Sequence, residues 1–408
     1  MSDAPHLDPL HGARLLLAVS GSIAAYKAPE LVRRLRAAGA EVRVILTQGG
    51  AHFATPMALQ AVSGQPVRQA LLDPAEESAM DHIALARWAG ALVVAPASAD
   101  TLARMASGRA DDLLGAVYLA TTAPTFAAPA MNHRMWAHPA TRRNADTLIA
   151  DGVTLLGPAA GDQACGEEGP GRMLEPGELV DHLRLHLGPR PLAGRQVLVT
   201  AGPTHEPIDP VRFVGNRSSG KMGYALAAAA AEAGAAVTLV SGPTALADPV
   251  GVTTLRVETA EEMAAAVRAR LDSADLFIAC AAVSDHRPAH PADQKRKGKA
   301  PFSLELEANP DILAEVAARP DGPLTLGFAA ETDDVLANAR AKRAAKGVDW
   351  LAVNDVGEAG AGFGTDTNRV TLLGPDGEAA LPFGSKAEVA RALIERVATA
   401  VGQRPKTV

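Results

Sequence analysis

The chain has 408 residues, 48% of them apolar and 3% aromatic, and a net charge of −7 at pH 7. That length implies two or three domains of about 150 residues each, and the scarce aromatics and negative charge exclude a nucleic-acid surface. Two distant cysteines, Cys165 and Cys280, exclude a disulfide framework or a cysteine zinc site and fit a reducing cytosol.

Residues 1–13 lack a basic segment followed by an apolar core, so a short mobile tail is expected rather than a signal peptide. No apolar run reaches the roughly 18–20 residues of a membrane helix, and a cytoplasmic protein is expected. Residues 14–19 (RLLLAV) read as a strand that ends in Ser20-Gly21-Ser22. A helix is predicted over 24–38, with Leu31, Leu35 and Ala38 at i, i+4 and i+7, and a strand over 41–47. Strand, small-residue turn, helix and strand open a parallel doubly wound sheet. The turn favours a phosphate at a helix N-terminus, and the absence of G-x-G-x-x-G points to one phosphate rather than a pyrophosphate.

The pattern repeats at 91–95 (ALVVA) followed by PASAD, and at 125–128 followed by PAMNHRMW. Ligands of open α/β sheets lie beyond the carboxyl ends of strands, so Ser22, Ser98 and Asn132 are predicted to share one pocket. His82 starts the helix before the third strand and by itself reads as a cap or surface residue. The stretch 164–173, ACGEEGPGRM, is too rich in glycine for a helix or central strand. A loop of little intrinsic order is expected, able to close over a site with Cys165; a lone cysteine there also reads as buried and inert.

A helix over 178–187 is followed by GPRP, and a linker is expected at 189–193, between domains of 14–188 and 194–408. GNRSSGK (215–221) fits seven positions of a Walker A loop, but Met222 stands where a hydroxyl should meet Mg²⁺. Residues 212–214 also make a poor central strand, so Ser218–Gly220 is better read as a helix N-terminus facing a ligand. Strands are predicted at 236–240, 253–257 and 276–281, with Cys280 in the core and Asp285 at a strand's carboxyl end. KRKGK (295–299) gathers four cations in five residues, either a solvated loop or an anion site. Lys342 and Lys346 share one helical face after GFAAET (327–332).

GSIAAYK (21–27), DHIAL (81–85), PASADT (96–101), PAMNHRMW (129–136) and ACGEEGPGRM resemble, in order, the flavin-containing cysteine decarboxylases. AGPTHEPIDPVRFVGNRSSGKMG, AAVSDHRP, EANPDIL, GFAAET and the Lys342/Lys346 pair resemble a ligase partner domain. Together these cover nearly all of 14–400 and are similar to the bifunctional phosphopantothenoylcysteine decarboxylase/phosphopantothenate–cysteine ligases of coenzyme A biosynthesis. The resemblance implies two doubly wound, three-layer α/β domains: a flavodoxin-like FMN-binding decarboxylase and a Rossmann-like, CTP-dependent ligase.

It further implies that Gly21, Ser22, Thr47 and Ser98 hold the FMN phosphate and ring. His82 would act as base in the oxidation step, Asn132 would bind the substrate carboxylate, and Cys165 would donate a proton. Loss of CO2 leaves charge on Cα with no electron sink, unless a flavin has first oxidised the thiol to a thioaldehyde whose C=S takes up that charge. A thiol of ordinary pKa, about 8.5, is protonated at neutral pH and can then serve as donor. In the ligase, resemblance puts Ala281, Asp285, Lys295, Asn309, Pro310, Asp311, Ile312, Phe328, Lys342 and Lys346 around CTP, with Mg²⁺. It puts Asn216 near an acyl-cytidylate. Phosphopantothenate would attack the α-phosphate of CTP, and cysteine's amine would then displace CMP.

Two departures matter. Asp100 stands where peptide-modifying relatives carry Asn, which argues against a peptide substrate. Gly298 interrupts the usual K-x-K-K, leaving Lys297 and Lys299 without an assigned role. The family assembles as homo-oligomers, so one is expected here. A non-catalytic flavoprotein regulatory subunit is opposed by the intact His82, Asn132 and Cys165. A nicotinamide oxidoreductase is opposed by the twice-missing glycine fingerprint.

Overall fold

The computed structural model describes residues 8–71, 81–297, 301–331, 334–355 and 364–404. They belong to two compact units, 8–187 and 188–408.

In the first unit, β1 (Arg14–Val19), β2 (Glu41–Leu46), β3 (Val67–Arg68), β4 (Ala91–Ala97), β5 (Thr125–Pro129) and β6 (Thr154–Leu155) form one sheet. Its order is β3-β2-β1-β4-β5-β6, and every pairing is parallel. The central strands are buried on both faces, which is why β1 reads as a continuous apolar run. Leu15, Leu17 and Val19 pack with Leu31 and Leu35 on one face. Leu16 and Ala18 pack with Leu102 and Leu148 on the other. The chain winds outward from β1 in one direction and from β4 in the other, so a crevice opens at the carboxyl ends between them.

Three expectations are corrected here. The helix over 24–38 is a 3-10 turn, Ile23–Lys27, followed by the α-helix Ala28–Ala37. Pro29 lies in the first turn of that helix, where a missing N–H is tolerated. Residues 8–13 are no tail: Leu10 is fully buried, and Arg184 donates three hydrogen bonds to the Asp8 carboxylate. Residues 1–7 lie outside the described residues. Finally, 164–173 contains a strand, because β7 (Ala159–Asp162) and β8 (Glu168–Arg172) form an antiparallel hairpin with Cys165 in its turn.

The second unit contains β9 (Gln196–Ala201), β10 (His205–Pro207), β11 (Phe213–Gly215), β12 (Ala236–Ser241), β13 (Val252–Arg256) and β14 (Leu276–Ala279). After these come β15 (His286–Pro288), β16 (Leu306–Ala308), β17 (Leu324–Glu331), β18 (Trp350–Asp355), β19 (Thr367–Asn368), β20 (Thr371–Gly374), β21 (Gly377–Ala380) and β22 (Gly384–Ser385). The main sheet runs β13-β12-β9-β14-β17-β18-β20-β21, parallel through β18 and antiparallel at its β20 and β21 edge. The antiparallel edge is an addition to the doubly wound pattern expected from the sequence. The switch between β9 and β14 again places a crevice at carboxyl ends. Residues 189–193 pack onto this unit: Leu192 is fully buried and its N–H donates to the Ala233 carbonyl at 2.8 Å. Among the described residues, no helix is long and apolar enough to cross a membrane.

Candidate active sites

The strand ends of the first unit are tied together by hydroxyls. Ser20 donates to the Pro96 carbonyl at 2.7 Å and accepts from the Ser98 N–H at 3.0 Å. Ser98 caps the helix Ala99–Ala106, accepting from Thr101 N–H at 3.2 Å. Thr47 donates to the Val19 carbonyl and accepts from Gly50 N–H. A Cβ on Gly21 would sit 3.1 Å from Gly49 Cα, so the two turns abut through bare backbone. Gly21, Thr47, Gly49, Ser98 and Arg104 line a hollow of about 680 Å³. Backbone cradle, hydroxyls and size all fit a phosphate-bearing ring cofactor.

Ser22 is not in that hollow. Its backbone is extended (φ −141°, ψ 150°) and its hydroxyl caps the turn Ile23–Lys27, accepting from Ala24 N–H. Ser22 instead lines a second hollow, of about 550 Å³, with Lys27, Asn132, Gln163 and Cys165. The single pocket expected for Ser22, Ser98 and Asn132 is therefore two. His82 begins the helix Asp81–Trp88 and is half-buried, but lines neither hollow as described.

Asn132 is oriented by its own fold. As N-cap of the helix His133–Ala137, its Oδ1 accepts from Arg134 N–H at 2.9 Å. The amide can then offer only its Nδ2 donors. These reach Gln163 Oε1 at 3.1 Å and Glu167 Oε2 at 2.6 Å, with Cys165 Sγ at 3.4 Å. Hydrogen bonds from Asn132 and Cys165, with His133 and Arg134 nearby, hold the Glu167 carboxyl below its ordinary range.

Two glycines let the hairpin lie this close. The Gly171 carbonyl accepts from Met131 N–H at 2.9 Å, and a Cβ there would meet Met131 O at 2.3 Å. Its φ of 152° is also one that side-chain-bearing residues avoid. Gly169 lies against the His133 ring in the same way. Gly171→Ala is expected to push the hairpin off the 131–133 loop and slow any reaction that depends on Asn132 and Cys165 at least tenfold. A reaction carried by the second unit should match the wild type in the same sample; equal loss in both units would indicate general unfolding instead.

In the second unit, Gly220 caps the helix Lys221–Glu232 at φ 76° without a side-chain cap bond. Its first-turn N–H groups are therefore available to an anion. The near-Walker loop is not a P-loop: β11, which precedes it, pairs only with β10, outside the main sheet. A hollow of about 190 Å³ is lined by Ser218, Lys221, Ala281, Phe328, Asn368 and Lys386, among others. Cys280 lines it as well. Its expected core placement is corrected: it stands one residue past β14, half-buried in the hollow's wall, where loss of solvent still pushes its thiol up to about 12.

Of the residues assigned to the nucleotide, Ala281 and Phe328 line this hollow; Asp285, Lys295, Lys342, Lys346 and the turn 309–312 do not. Several of them make their contacts instead with the loop after β14 and with one another. Asn309 donates from Nδ2 to the Ser284 carbonyl at 2.8 Å, and its own N–H reaches Asp285 O at 2.9 Å. Asp311 caps the helix Ile312–Ala317 and pairs with Lys346 at 2.9 Å. Burial raises the Asp311 carboxyl, but Lys346, the Ala314 N–H and Lys342 outweigh it and hold it below its ordinary range. Lys295 is exposed, and the buried Asp209 accepts from the N–H of neighbouring Arg296 at 3.1 Å. Arg212, held by Asp209, donates to the Arg296 carbonyl, so this clasp fixes the basic loop. Lys297 is exposed; Gly298, Lys299 and Thr332 lie outside the described residues. Asn216 donates from Nδ2 to the carbonyls of Ala282 and Val283, at 3.1 Å each.

Comparison with known proteins settles the family. Residues 3–187 match the family described as Flavoprotein, and residues 192–401 match the DNA/pantothenate metabolism flavoprotein C-terminal domain. A coenzyme A biosynthesis bifunctional protein CoaBC from Vibrio vulnificus is 50% identical over 97% of this chain and 100% of its own length. The one from Escherichia coli is 48% identical over 96% of this chain and 98% of its own. A crystal structure of a CoaBC C-terminal domain is 40% identical, covering 53% of this chain and 100% of that one, with a TM-score of 0.46. The chain belongs to the bifunctional coenzyme A biosynthesis protein family. It is a flavoprotein with decarboxylase and ligase activities in that pathway.

Within this family member, several site residues escape a reading of the sequence. Gln163, Glu167 and His133 surround Asn132 and Cys165, yet only the hairpin fold brings them there. Lys221 pairs with Asp366 at 2.6 Å, and Lys386 donates to the Thr365 carbonyl beside it. The Ser385–Glu388 capping box marks the start of the helix Lys386–Gln403, but nothing local marks Lys386 as facing a hollow.

Proposed function

We propose that the first unit decarboxylates phosphopantothenoylcysteine with FMN, and that the second makes this substrate from 4′-phosphopantothenate, L-cysteine and CTP. The observation that carries the first reading is the Asn132 amide, locked with its donors outward beside the Cys165 thiol. When bound, FMN supplies two-electron oxidation of the substrate thiol and the later reversal. Gly21, Thr47 and Ser98 hold its phosphate and ring, with Ser22 at the adjoining hollow. His82 takes the thiol proton, Asn132 Nδ2 binds the substrate carboxylate, and Cys165 protonates the enethiol left after CO2 has gone, as the two electrons are returned.

In the second unit, the uncapped helix start at Gly220 and the basic loop around Lys295 support binding of a triphosphate. Ala281, Asp285, Phe328, the turn 309–312, Lys342 and Lys346 complete the CTP site. Among the described residues, no cluster of three or more His, Cys, Asp or Glu side chains could hold a metal ion. Mg²⁺ would enter on the triphosphate, as it commonly does. We place the enzyme in the cytoplasm as a homo-oligomer.

The test is release of pyrophosphate. The full chain, and residues 188–408 alone, should release it from CTP only when phosphopantothenate is present, with or without cysteine. Preference for ATP over CTP, or release that requires cysteine, would overturn the acyl-cytidylate reading.

A further inference from the structure

One carboxylate oxygen stands at the centre of the decarboxylase site. Glu167 Oε2 accepts from Asn132 Nδ2 at 2.6 Å and lies 3.5 Å from Cys165 Sγ, while that sulfur is 3.4 Å from the same Nδ2. We infer that Glu167 is an internal stand-in for the substrate carboxylate: it occupies the Asn132 amide, yields it to substrate, and brings Cys165 back once CO2 has left. This rests on the reading of Asn132 and Cys165 proposed above.

Geometry makes the competition direct. The amide cannot turn over without losing the Arg134 cap, and one of its two hydrogens is engaged by Gln163. The remaining donor is the one Glu167 holds, and two carboxylates cannot share it without repulsion. Glu167 and Cys165 are two residues apart in an exposed hairpin turn just before β8, so displacing one moves the other. In the structure Glu167 also lies 3.6 Å from His133 Nδ1 and 3.7 Å from Arg134 Nε, groups that would keep it near once released. His133 Nδ1 is buried and lacks a hydrogen-bond partner, so it is free to take up the departing carboxylate. The low-lying Glu167 carboxyl makes it an anion at neutral pH, as the substrate group is. After decarboxylation the product has no carboxylate to compete. Glu167 then returns to Nδ2, and Cys165 arrives only when a proton is needed.

The experiment uses the full flavin-loaded chain and N-(4′-phosphopantothenoyl)serine, which keeps the carboxylate and lacks the thiol. Calorimetry should find that Glu167→Ala binds this ligand about tenfold more tightly than wild type. The same amide without its carboxyl should bind both proteins equally. In turnover with the true substrate, Glu167→Ala should release an enethiol two hydrogens lighter than product, because nothing then draws Cys165 back to the site. Glu167→Gln, which keeps size but not charge, should shift both readouts in the same direction if the alanine variant fails to load flavin. Unchanged or weaker serine-ligand binding, or equal tightening of both ligands, would overturn the inference. Cys165→Ser separates the levels: if it traps the enethiol while Glu167 variants behave as wild type, only this inference falls. If it yields normal product, the reading beneath falls too.

Discussion

Cys165→Ala is expected to lower phosphopantetheine formation by about 10²–10⁴-fold, the usual contribution of a positioned general acid. Decarboxylation itself should survive, because the thiol acts only after CO2 has gone. Mass spectrometry should therefore show the enethiol, two hydrogens lighter than product, accumulating in place of phosphopantetheine. Cys165 is exposed in the hairpin turn and makes no packing contribution to the buried core, so folding and flavin loading should be retained. Normal product yields would remove Cys165 from the mechanism.

Asn216→Asp should separate the two halves of the ligase reaction. The Asn216 amide N–H groups are engaged by the carbonyls of Ala282 and Val283, which leaves Oδ1 as the atom available to substrate. An acceptor suits the amine of cysteine and not the phosphates of CTP. An aspartate would set a carboxylate oxygen against two carbonyls and shift the 281–285 loop. Misplacement of about 1 Å typically costs 10²-fold, so cysteine should convert the acyl-cytidylate about 10²-fold more slowly. Pyrophosphate release should stay within a few-fold of wild type. Lys295→Gln, assigned to the triphosphate, should fail before pyrophosphate leaves. An Asn216→Asp enzyme that releases no pyrophosphate would return this residue to the nucleotide.

What the sequence made legible was local. Apolar runs closed by small-residue turns located β1, β4 and β5, and Ser98 and Asn132 fell at strand ends because they cap the helices that follow. What it hid was decided by distant partners. Glu168–Arg172 is a strand through its ladder to β7 and the Met131–Gly171 bond, neither of which glycine content predicts. Asp8 and Leu10 look like tail residues until Arg184, on the last helix of the unit, is brought beside them. Cys280 stands one residue past β14, in the wall of a hollow rather than in the core. Lys386 reaches the 280–282 hollow from the far end of the chain. Ser22 and Ser98 cap different helical elements and line different hollows.

One chain carries both steps in sequence. Incubating the purified protein with 4′-phosphopantothenate, L-cysteine, CTP and Mg²⁺, and following small molecules by mass spectrometry, tests it most directly. The expected products are 4′-phosphopantetheine, CMP, pyrophosphate and CO2 in equal amounts, with phosphopantothenoylcysteine appearing and then disappearing. Accumulation of phosphopantothenoylcysteine without phosphopantetheine, in flavin-replete protein, would contradict it.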